Sequence, residues 1–400
     1  MSVTFRFFRS LLSLSFLIFF CSGCTSIDQQ RAASIPIEQL LNDSAFTEFG
    51  AYSIERPTDI FALDPQAKTF VAETIEGLHS GDERIEALIH RIFARADLDL
   101  VYEASANTIA SETFKNGSAN CLSLSIMTFA MAKEAQLQSD FQIVEIPEYW
   151  TRRGGYTLLN GHINLRIKAK TNSNITRLFE NVFVVDFDPS AGANKFPTQY
   201  ASEKVVLAMF YNNKGADALL NENSDLAYAY LREAILADEN YAGAWVNLGL
   251  LYRKKGLYNL ALGAYNQAIA LNEDYNTAWE NLAILYEHLG DTKAAFDIHT
   301  RLDQKRQKNP FYHQMLAEID RNEGSLENSI LHYKKAIGLN NNQHQFYFGL
   351  ATVYFDKGDF EKSEHYLMLA IRKAGKGNVA DMYLNKLSAL SSFIASTHSK

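Results

Sequence analysis

The hydrophobic residues between positions 66 and 96 recur with the spacing of two amphipathic helices. The first is predicted near 66–78 and the second near 83–96. In the second, apolar side chains three and four residues apart share one face, as in a helix that packs one side against a core. The residues on that face are Ile85, Leu88, Ile89, Ile92 and Phe93.

The pattern changes between residues 97 and 200. A helix is predicted to begin at Cys121, and three strand-like runs follow it at 141–146, 162–167 and 182–187. Helices that precede a group of strands are typical of an α+β domain. We therefore expect one such domain over residues 66–207, and the preceding residues 24–65, with weak periodicity, are interpreted as a tether.

From residue 208 onward the chain is helical and repeats its pattern every 34 residues. Five units begin at 208, 242, 276, 310 and 344. The fourth residue of a unit is aromatic or histidine, the eighth and twentieth are small, and the fifteenth is glycine in four units. In that order the columns are Tyr211, Trp245, Trp279, His313 and Tyr347; Gly215, Gly249, Ala283, Ala317 and Ala351; Ala227, Ala261, Ala295, Ser329 and Ser363; and Gly256, Gly290, Gly324 and Gly358.

These columns resemble the tetratricopeptide repeat (TPR). Small residues allow the two helices of a unit to cross closely, and glycine ends the first helix in a left-handed conformation. The resemblance implies an all-α TPR solenoid of five repeats over 208–377, with a C-terminal helix or tail over 378–400. The first unit has Lys214 and Glu222 where the others have leucine and glycine, as a capping repeat does. Proteins with such arrays bind protein or peptide partners.

The N-terminus has the features of a secretion signal. Arg6 and Arg9 precede an apolar run at 11–20, which is shorter than the roughly 20 residues of a membrane-spanning helix. The sequence that follows, from Cys21 to Cys24, resembles a bacterial lipobox. The resemblance implies a signal peptide over 1–23 and acylation of Cys24, and Thr25 after it favours the outer membrane, facing the periplasm. Ordinary signal cleavage is the alternative.

Composition narrows the classes of function. The net charge of -8 argues against a nucleic-acid partner, which would require clustered basic residues. The domain lacks cysteines and histidines at metal-ligand spacing, so no metal or cofactor is expected. Of the three cysteines, only Cys121 would remain as a thiol after cleavage and acylation. It is therefore a buried inert thiol, a partner in an intermolecular disulfide, or a reactive group.

A second resemblance covers about residues 66–200. The loop and helix start at 114–125, the run Gly161-His162-Ile163-Asn164-Leu165 and the run at 184–190 resemble the transglutaminase-like superfamily, which is related to papain-type enzymes. The resemblance implies an α+β papain-like fold with Cys121 as nucleophile and His162 as its base. It also implies an acidic third residue, for which Asp186 and Asp188 are the candidates.

The residue types suit that chemistry. The positive end of a helix dipole favours a thiolate at Cys121, and a nearby imidazole can take the thiol proton. The family's Asp-Pro pattern points to Asp188, whereas the position within an apolar strand points to Asp186, because a buried acid needs a partner. The alternatives are that Cys121 is a small core residue and that His162 belongs to a solvated strand face with Asn164 and Arg166.

Asparagine recurs at the sixth place of three repeats, as Asn213, Asn247 and Asn281. The first helix of each pair lines the concave face of a TPR array, where such amides can hydrogen-bond an extended peptide. We therefore interpret these asparagines as candidate peptide-binding residues.

Two functions remain open at this point. The first is a membrane-anchored cysteine hydrolase or acyltransferase whose TPR array positions a protein or peptide substrate. The second is a non-catalytic TPR adaptor or scaffold lipoprotein.

Overall fold

A computed structural model provides the architecture of the chain. It describes residues 37–94, 98, 100–145, 150–153, 156–159, 161–169, 181–186, 196–375 and 378–398, of which 37–38, 150–153, 156–159, 378 and 393–398 are described for their backbone alone. The described residues lie in one compact unit, which spans Ile35–Lys400. No helix in this part of the chain is both long enough and apolar enough to span a bilayer.

Among the described residues, six α-helices and two short 3₁₀ helices precede the four-stranded sheet. The two predicted near 66–78 and 83–96 are confirmed as α3 and α4, and the helix predicted to begin at Cys121 is α6. The N-terminus of α3 is capped by Asp64, whose side chain accepts the Ala67 N–H at 2.7 Å. The six are α1 Ile37–Leu40, α2 Pro57–Ile60, α3 Pro65–Ile75, α4 Gly81–Phe93, α5 Ala110–Asn116 and α6 Cys121–Glu134.

The three predicted strand runs are three adjacent strands of a four-stranded antiparallel sheet with the order β7-β6-β3-β8. The fourth strand, β8, was not predicted. A short parallel pair, β1 with β2, and a hairpin, β4 with β5, complete the strands. Their bounds are β1 Val101–Tyr102, β2 Ser118–Ala119, β3 Gln138–Val144, β4 Trp150–Arg153, β5 Tyr156–Leu159, β6 His162–Lys168, β7 Val182–Val185 and β8 Thr198–Ala201.

Helix α6 lies at the centre of this N-terminal region. All residues from Leu122 to Ala132 are buried, because other helices and the sheet surround it. Phe129 of α6 stacks on Phe141 of β3 with ring centroids 4.6 Å apart, and the ring of Phe61 packs edge-on against Phe129. The start of α6, and with it Cys121, is therefore held in place by a packed core.

The repeats form ten helices in five pairs, and one more helix follows them. The pairs are α7 Glu203–Leu220 with α8 Ser224–Ala237, α9 Ala242–Lys254 with α10 Tyr258–Leu271, α11 Asn276–Leu289 with α12 Thr292–Arg306, α13 Pro310–Asn322 with α14 Leu326–Leu339, and α15 His344–Asp356 with α16 Phe360–Ala374; the last helix is α17 Asn378–His398. The predicted all-α solenoid over 208–377 is confirmed in its helical architecture.

The turn inside each pair has the left-handed backbone that its glycine predicts. The φ angles of Gly256, Gly290, Gly324 and Gly358 lie between 78° and 83°. In the first unit Glu222 occupies the same place with a φ of 58°. The turn geometry is thus common to all five units, and the first unit adopts it with a side chain that disfavours it.

The aromatic column fixes the joint between successive units. In each of the last four, the ring at the fourth place donates to a backbone carbonyl six residues earlier, in the preceding turn. These bonds are Trp245 Nε1 to Glu239 O, Trp279 Nε1 to Glu273 O, His313 Nε2 to Gln307 O and Tyr347 Oη to Asn341 O, at 2.7 to 3.1 Å. The first unit has no preceding repeat, and Tyr211 Oη donates instead to Glu55 O at 2.7 Å.

Residues 37–60 differ from the tether that was expected over 24–65. They form short helices and turns that pack on the first two repeats, with Leu40, Phe46 and Ile60 fully buried. The ring of Phe46 stacks on Tyr228 with centroids 4.2 Å apart. Weak periodicity suggested a tether, but isolated apolar side chains can bury against a neighbouring surface without forming a helix of their own.

Glu55 explains why the first repeat departs from the others at its seventh place. Its carboxylate pairs with Lys214 Nζ at 2.9 Å and accepts Tyr230 Oη at 2.9 Å. Burial raises the pKa of Glu55, but these partners outweigh it, and the pKa lies below its ordinary value. The lysine that replaces leucine in the first unit thus serves the contact with the N-terminal segment.

Candidate functional site

Cys121 is the first residue of α6. The side chain of Asn120 caps the helix by accepting the Ser123 N–H at 2.9 Å, and the first turn contains no acidic residue. Cys121 is half-buried and is a free thiol. The sulfur therefore lies at the positive end of a well-capped helix, where a negative charge is stabilised.

His162 is the first residue of β6, and Asp186 directly follows β7. Strands β6 and β7 are adjacent and antiparallel, with Leu165 opposite Val185, so the end of β7 comes back beside the start of β6. This places His162 Nε2 at 2.8 Å from Asp186 Oδ1. The histidine is 5% exposed, which excludes the alternative that it belongs to a solvated strand face.

The electrostatics of the histidine follow from its neighbours. Burial of the ring lowers its pKa, but hydrogen bonds and charge from Asp186 and Cys121 raise it, and the result is a pKa of about 10 instead of the ordinary 6.5. The ring is thus an imidazolium at neutral pH. Because the carboxylate occupies Nε2, Nδ1 is the ring nitrogen available to the thiol.

Asn164 is a site residue that the sequence did not identify. It lies two residues after His162 on the same face of β6, is 5% exposed, and its Nδ2 donates to Asp186 Oδ2 at 3.3 Å. The two oxygens of Asp186 thus have different donors, one histidine and one amide. The sequence did contain a signal for Asn164, because it lies two residues after His162 on a predicted strand and so shares its face. Asn164 was interpreted there as part of a polar outer face.

Two of the sequence-based predictions fall outside the described residues. Cys24, the predicted lipidation site, lies in the N-terminal stretch, and Asp188, the alternative to Asp186, lies between described segments. Of the two aspartates, Asp186 is the one whose position is described, and it contacts His162.

The three asparagines of the repeats are half-buried, and two of them form hydrogen bonds within the array. Asn247 Nδ2 donates to Asn212 Oδ1 of the preceding unit at 2.8 Å, and Asn281 Nδ2 donates to Thr277 O at 2.9 Å. Asn213 is also half-buried on α7. Each amide retains further hydrogen-bonding capacity, so their role as peptide-binding residues stays a prediction.

Within the described part of the chain, no group of three or more histidine, cysteine and acidic side chains is arranged to hold a metal ion. The described site offers a thiol, an imidazolium and a carboxylate.

Comparisons with known proteins concern the repeats. Tetratricopeptide-repeat family models match residues 242–275 and 344–372. No curated protein sequence matches the chain.

Solved structures that resemble parts of the chain include YrrB, described as a TPR protein with an unusual peptide-binding site (18% identity, 45% of this chain and 92% of that one, TM-score 0.24). Others are PilF of Pseudomonas aeruginosa (16%, 50% and 90%, 0.26) and MamA from Desulfovibrio magneticus (16%, 42% and 94%, 0.24). Residues 242–275 and 344–372 are tetratricopeptide repeats, and they lie within a continuous array of helical pairs.

Proposed function

We propose that the chain is a protein-binding adaptor whose repeat array holds a protein or peptide partner along its concave face. The observation that carries the proposal is the series of helical pairs from α7 to α16, which contains two tetratricopeptide repeats. Stacked repeats of this kind create an extended surface, and an extended peptide can satisfy its backbone groups on side-chain amides there.

The test starts from peptides selected for binding to the whole chain from a random extended-peptide library. Their affinities are then measured by calorimetry for the wild type and for a variant with Asn213, Asn247 and Asn281 all changed to Ala. Loss of these amides should weaken binding by about tenfold or more, since each hydrogen bond contributes about 1 kcal/mol.

A matched control is Leu331→Ala, which removes an exposed side chain of the second helix of the fourth pair. It should leave the affinity unchanged. Wild-type affinity in the triple variant would reject these asparagines as the contact surface, and failure of the selection to give any binder would reject the adaptor function itself.

A second candidate function is favoured by the side chains at the start of α6. Cys121 interacts with the ring of His162, which is in turn bonded to Asp186. A thiolate beside an imidazolium that a carboxylate orients is the arrangement of cysteine acyl-transfer enzymes. It supports the transglutaminase-like hydrolase or acyltransferase activity that the sequence resemblance implies.

In this proposed reaction the Cys121 thiolate attacks an amide carbonyl and forms a tetrahedral intermediate, whose oxyanion the Cys121 backbone N–H at the helix start can stabilise. The His162 imidazolium then gives its proton to the leaving amine, and a thioester forms on Cys121. Water or a second amine, which gives a proton to the now neutral His162, attacks the thioester; cleavage of the carbon–sulfur bond restores the Cys121 thiolate and the His162 imidazolium. Asp186 holds the ring in orientation throughout.

The test of this second function is the covalent intermediate. Incubation with an activated acyl ester should add the mass of the acyl group to the wild-type chain and not to Cys121→Ala, as measured by intact-protein mass spectrometry. His162→Gln should acylate at least tenfold more slowly, whereas His90→Gln, which changes an exposed histidine of α4, should acylate at the wild-type rate. Equal acylation of the wild type and Cys121→Ala would reject the activity.

The cellular location is a further part of the proposal. Acylation of Cys24 would hold the protein on a membrane, with the outer membrane as the expected site. Mass spectrometry of the N-terminal peptide should find lipid on Cys24 and release of residues 1–23. An unmodified Cys24 in the mature protein would contradict the anchor without affecting either proposed activity.

A further inference from the structure

A chain of side-chain amides joins the start of α6 to the first repeat. Asn120 accepts the Ser123 N–H at 2.9 Å, and its own Nδ2 donates to Asn107 Oδ1 at 2.6 Å. Asn107 Nδ2 then donates to Asp217 Oδ2 on α7 at 2.5 Å. The relay, as we call Asn120, Asn107 and Asp217, thus runs from the first turn of the cysteine helix to the first helix of the array.

The direction of these bonds is fixed by the two ends of the relay. A backbone N–H is only a donor, and an ionised carboxylate is only an acceptor, whereas each asparagine amide offers both functions. With Asp217 at one end, Asn107 must present its Nδ2 to α7 and its oxygen to Asn120. Asn120 in turn must present its nitrogen to Asn107, which leaves its oxygen for the helix cap. Reversal of either amide would set two donors or two acceptors against each other.

The residues around the relay hold it in place. The Asn120 side chain is 6% exposed. The loop that contains Asn107 crosses the first turn of α6, where Ser123 Oγ donates to Ala106 O at 3.0 Å and accepts the Thr108 N–H at 2.9 Å. The loop and the helix start are therefore hydrogen-bonded to each other, and Asn107 of the loop contacts Asp217 of the array.

We propose that Asp217, a residue of the first repeat, is a positioning residue for the Cys121 thiol. It acts through Asn107 and Asn120, by orienting the amide that caps the cysteine helix. The array then helps to position the Cys121 thiol beside His162, in addition to any role in binding a partner. The inference rests on the proposed thiol function of Cys121 for its chemical consequence.

The experiment compares three variants of the full chain. Asp217→Ala removes the acceptor, and Asp217→Asn keeps an acceptor oxygen of the same size. Asp225→Ala is the matched control, because Asp225 also lies in the first repeat and accepts a backbone N–H of the N-terminal segment, from Glu48 at 3.2 Å, but is not bonded to the relay.

Two quantities are measured for each variant: the alkylation rate of Cys121 by iodoacetamide across pH, and amide hydrogen exchange in the peptide that contains Ser123. Asp217→Ala should slow alkylation at neutral pH by about fivefold or more, and should speed exchange of the Ser123 N–H by a similar factor, the effect of losing a helix cap. Asp217→Asn should recover most of both, and Asp225→Ala should match the wild type in both.

The outcomes separate the inference from the proposed function. Unchanged exchange and unchanged alkylation in Asp217→Ala would overturn the relay, even with a reactive Cys121. A wild-type thiol that is no faster than a simple thiol would reject the thiol function, while faster exchange at Ser123 in Asp217→Ala alone would still support the positioning of the cap by the array. Equal effects of Asp217→Ala and Asp225→Ala would also overturn the relay, since they would show general loosening of the repeat.

Discussion

At the scale of single residues, the site depends on how one carboxylate is shared. Asp186 accepts from the His162 ring with one oxygen and from the Asn164 amide with the other. This arrangement fixes the orientation of the carboxylate and thereby that of the ring. Burial of the ring lowers the pKa of His162, whereas the hydrogen bond to Asp186 raises it, and the ring stays charged although it is buried.

The first prediction concerns stability against pH. The pKa of His162 is about 10 in the folded chain, above its ordinary 6.5. A raised pKa stabilises the folded state fully below the ordinary value, and that contribution is lost as pH rises through the folded value. We therefore expect the urea midpoint of the wild type to fall between pH 6.5 and 10 more steeply than that of His162→Gln.

The control for this experiment is His90→Gln, which changes an exposed histidine of the same domain and should retain the wild-type slope. Parallel midpoint curves for the wild type and His162→Gln would mean that the ring is not held as an imidazolium in the folded chain.

The second prediction concerns the turn of the first repeat. Glu222 has a φ of 58°, where the other units have glycine. Glu222→Gly should stabilise the chain by about 0.5–1 kcal/mol, because the relief of left-handed strain exceeds the added flexibility of the unfolded chain. The reverse change at the equivalent site, Gly256→Ala, should destabilise it by about 1 kcal/mol. Denaturant unfolding measures both, and a less stable Glu222→Gly variant would contradict the account.

At the scale of elements, the segment 37–60 acts as the N-terminal cap of the solenoid. In later units the aromatic residue at the fourth place donates to the turn of the preceding repeat, and the carbonyl of Glu55 takes that place for Tyr211. Phe46 covers Tyr228 of the first pair and lies near Tyr252 of the second, with ring centroids 6.0 Å apart. The segment 37–60 thus covers apolar side chains at the N-terminal end of the array, where no further repeat packs.

The third prediction tests this cap. Phe46 is fully buried, so Phe46→Ala should destabilise the chain by about 3–5 kcal/mol through lost burial and the cavity that remains. Phe296→Ala, at a site that is 69% exposed on α12, should change stability by no more than about 0.5 kcal/mol. Thermal unfolding of both variants gives the comparison. Similar small effects would show that the segment is a tether after all.

Some of these elements could be predicted from sequence and others could not, for physical reasons. The repeats were predictable because five units show the same small and aromatic columns. The helix at Cys121 was also predicted, and the structure adds that the Asn120 side chain caps it. The segment 37–60 was not, because Leu40 and Phe46 contact partners that lie far along the chain, Tyr252 and Tyr228. The sequence predicted Cys121, His162 and Asp186 as site residues, and the structure brings His162 and Asp186 into contact. Asn164 and Asp217 were not predicted as site residues, because their contacts depend on strand pairing and on the packing of the domain against the array.

At the scale of the whole molecule, two of the joints between the N-terminal part of the chain and the repeats are made by polar side chains of the first pair of helices. Glu55 links the segment before α2 to the first pair of helices, and Asn107 links the loop across α6 to Asp217 of the same pair. Both joints involve the first repeat. A partner bound by the array would therefore contact an element that is hydrogen-bonded to the domain that contains Cys121.

The central claim about the site at the start of α6 is that His162 makes Cys121 a reactive thiol. Its most direct test is the alkylation rate of Cys121 at about pH 6, where a simple thiol is almost entirely protonated. An imidazolium at His162 that stabilises a Cys121 thiolate predicts alkylation of the wild type at least about tenfold faster than that of His162→Gln. Equal rates in the two proteins would contradict the thiol site and leave the repeat array alone as the functional part of the molecule.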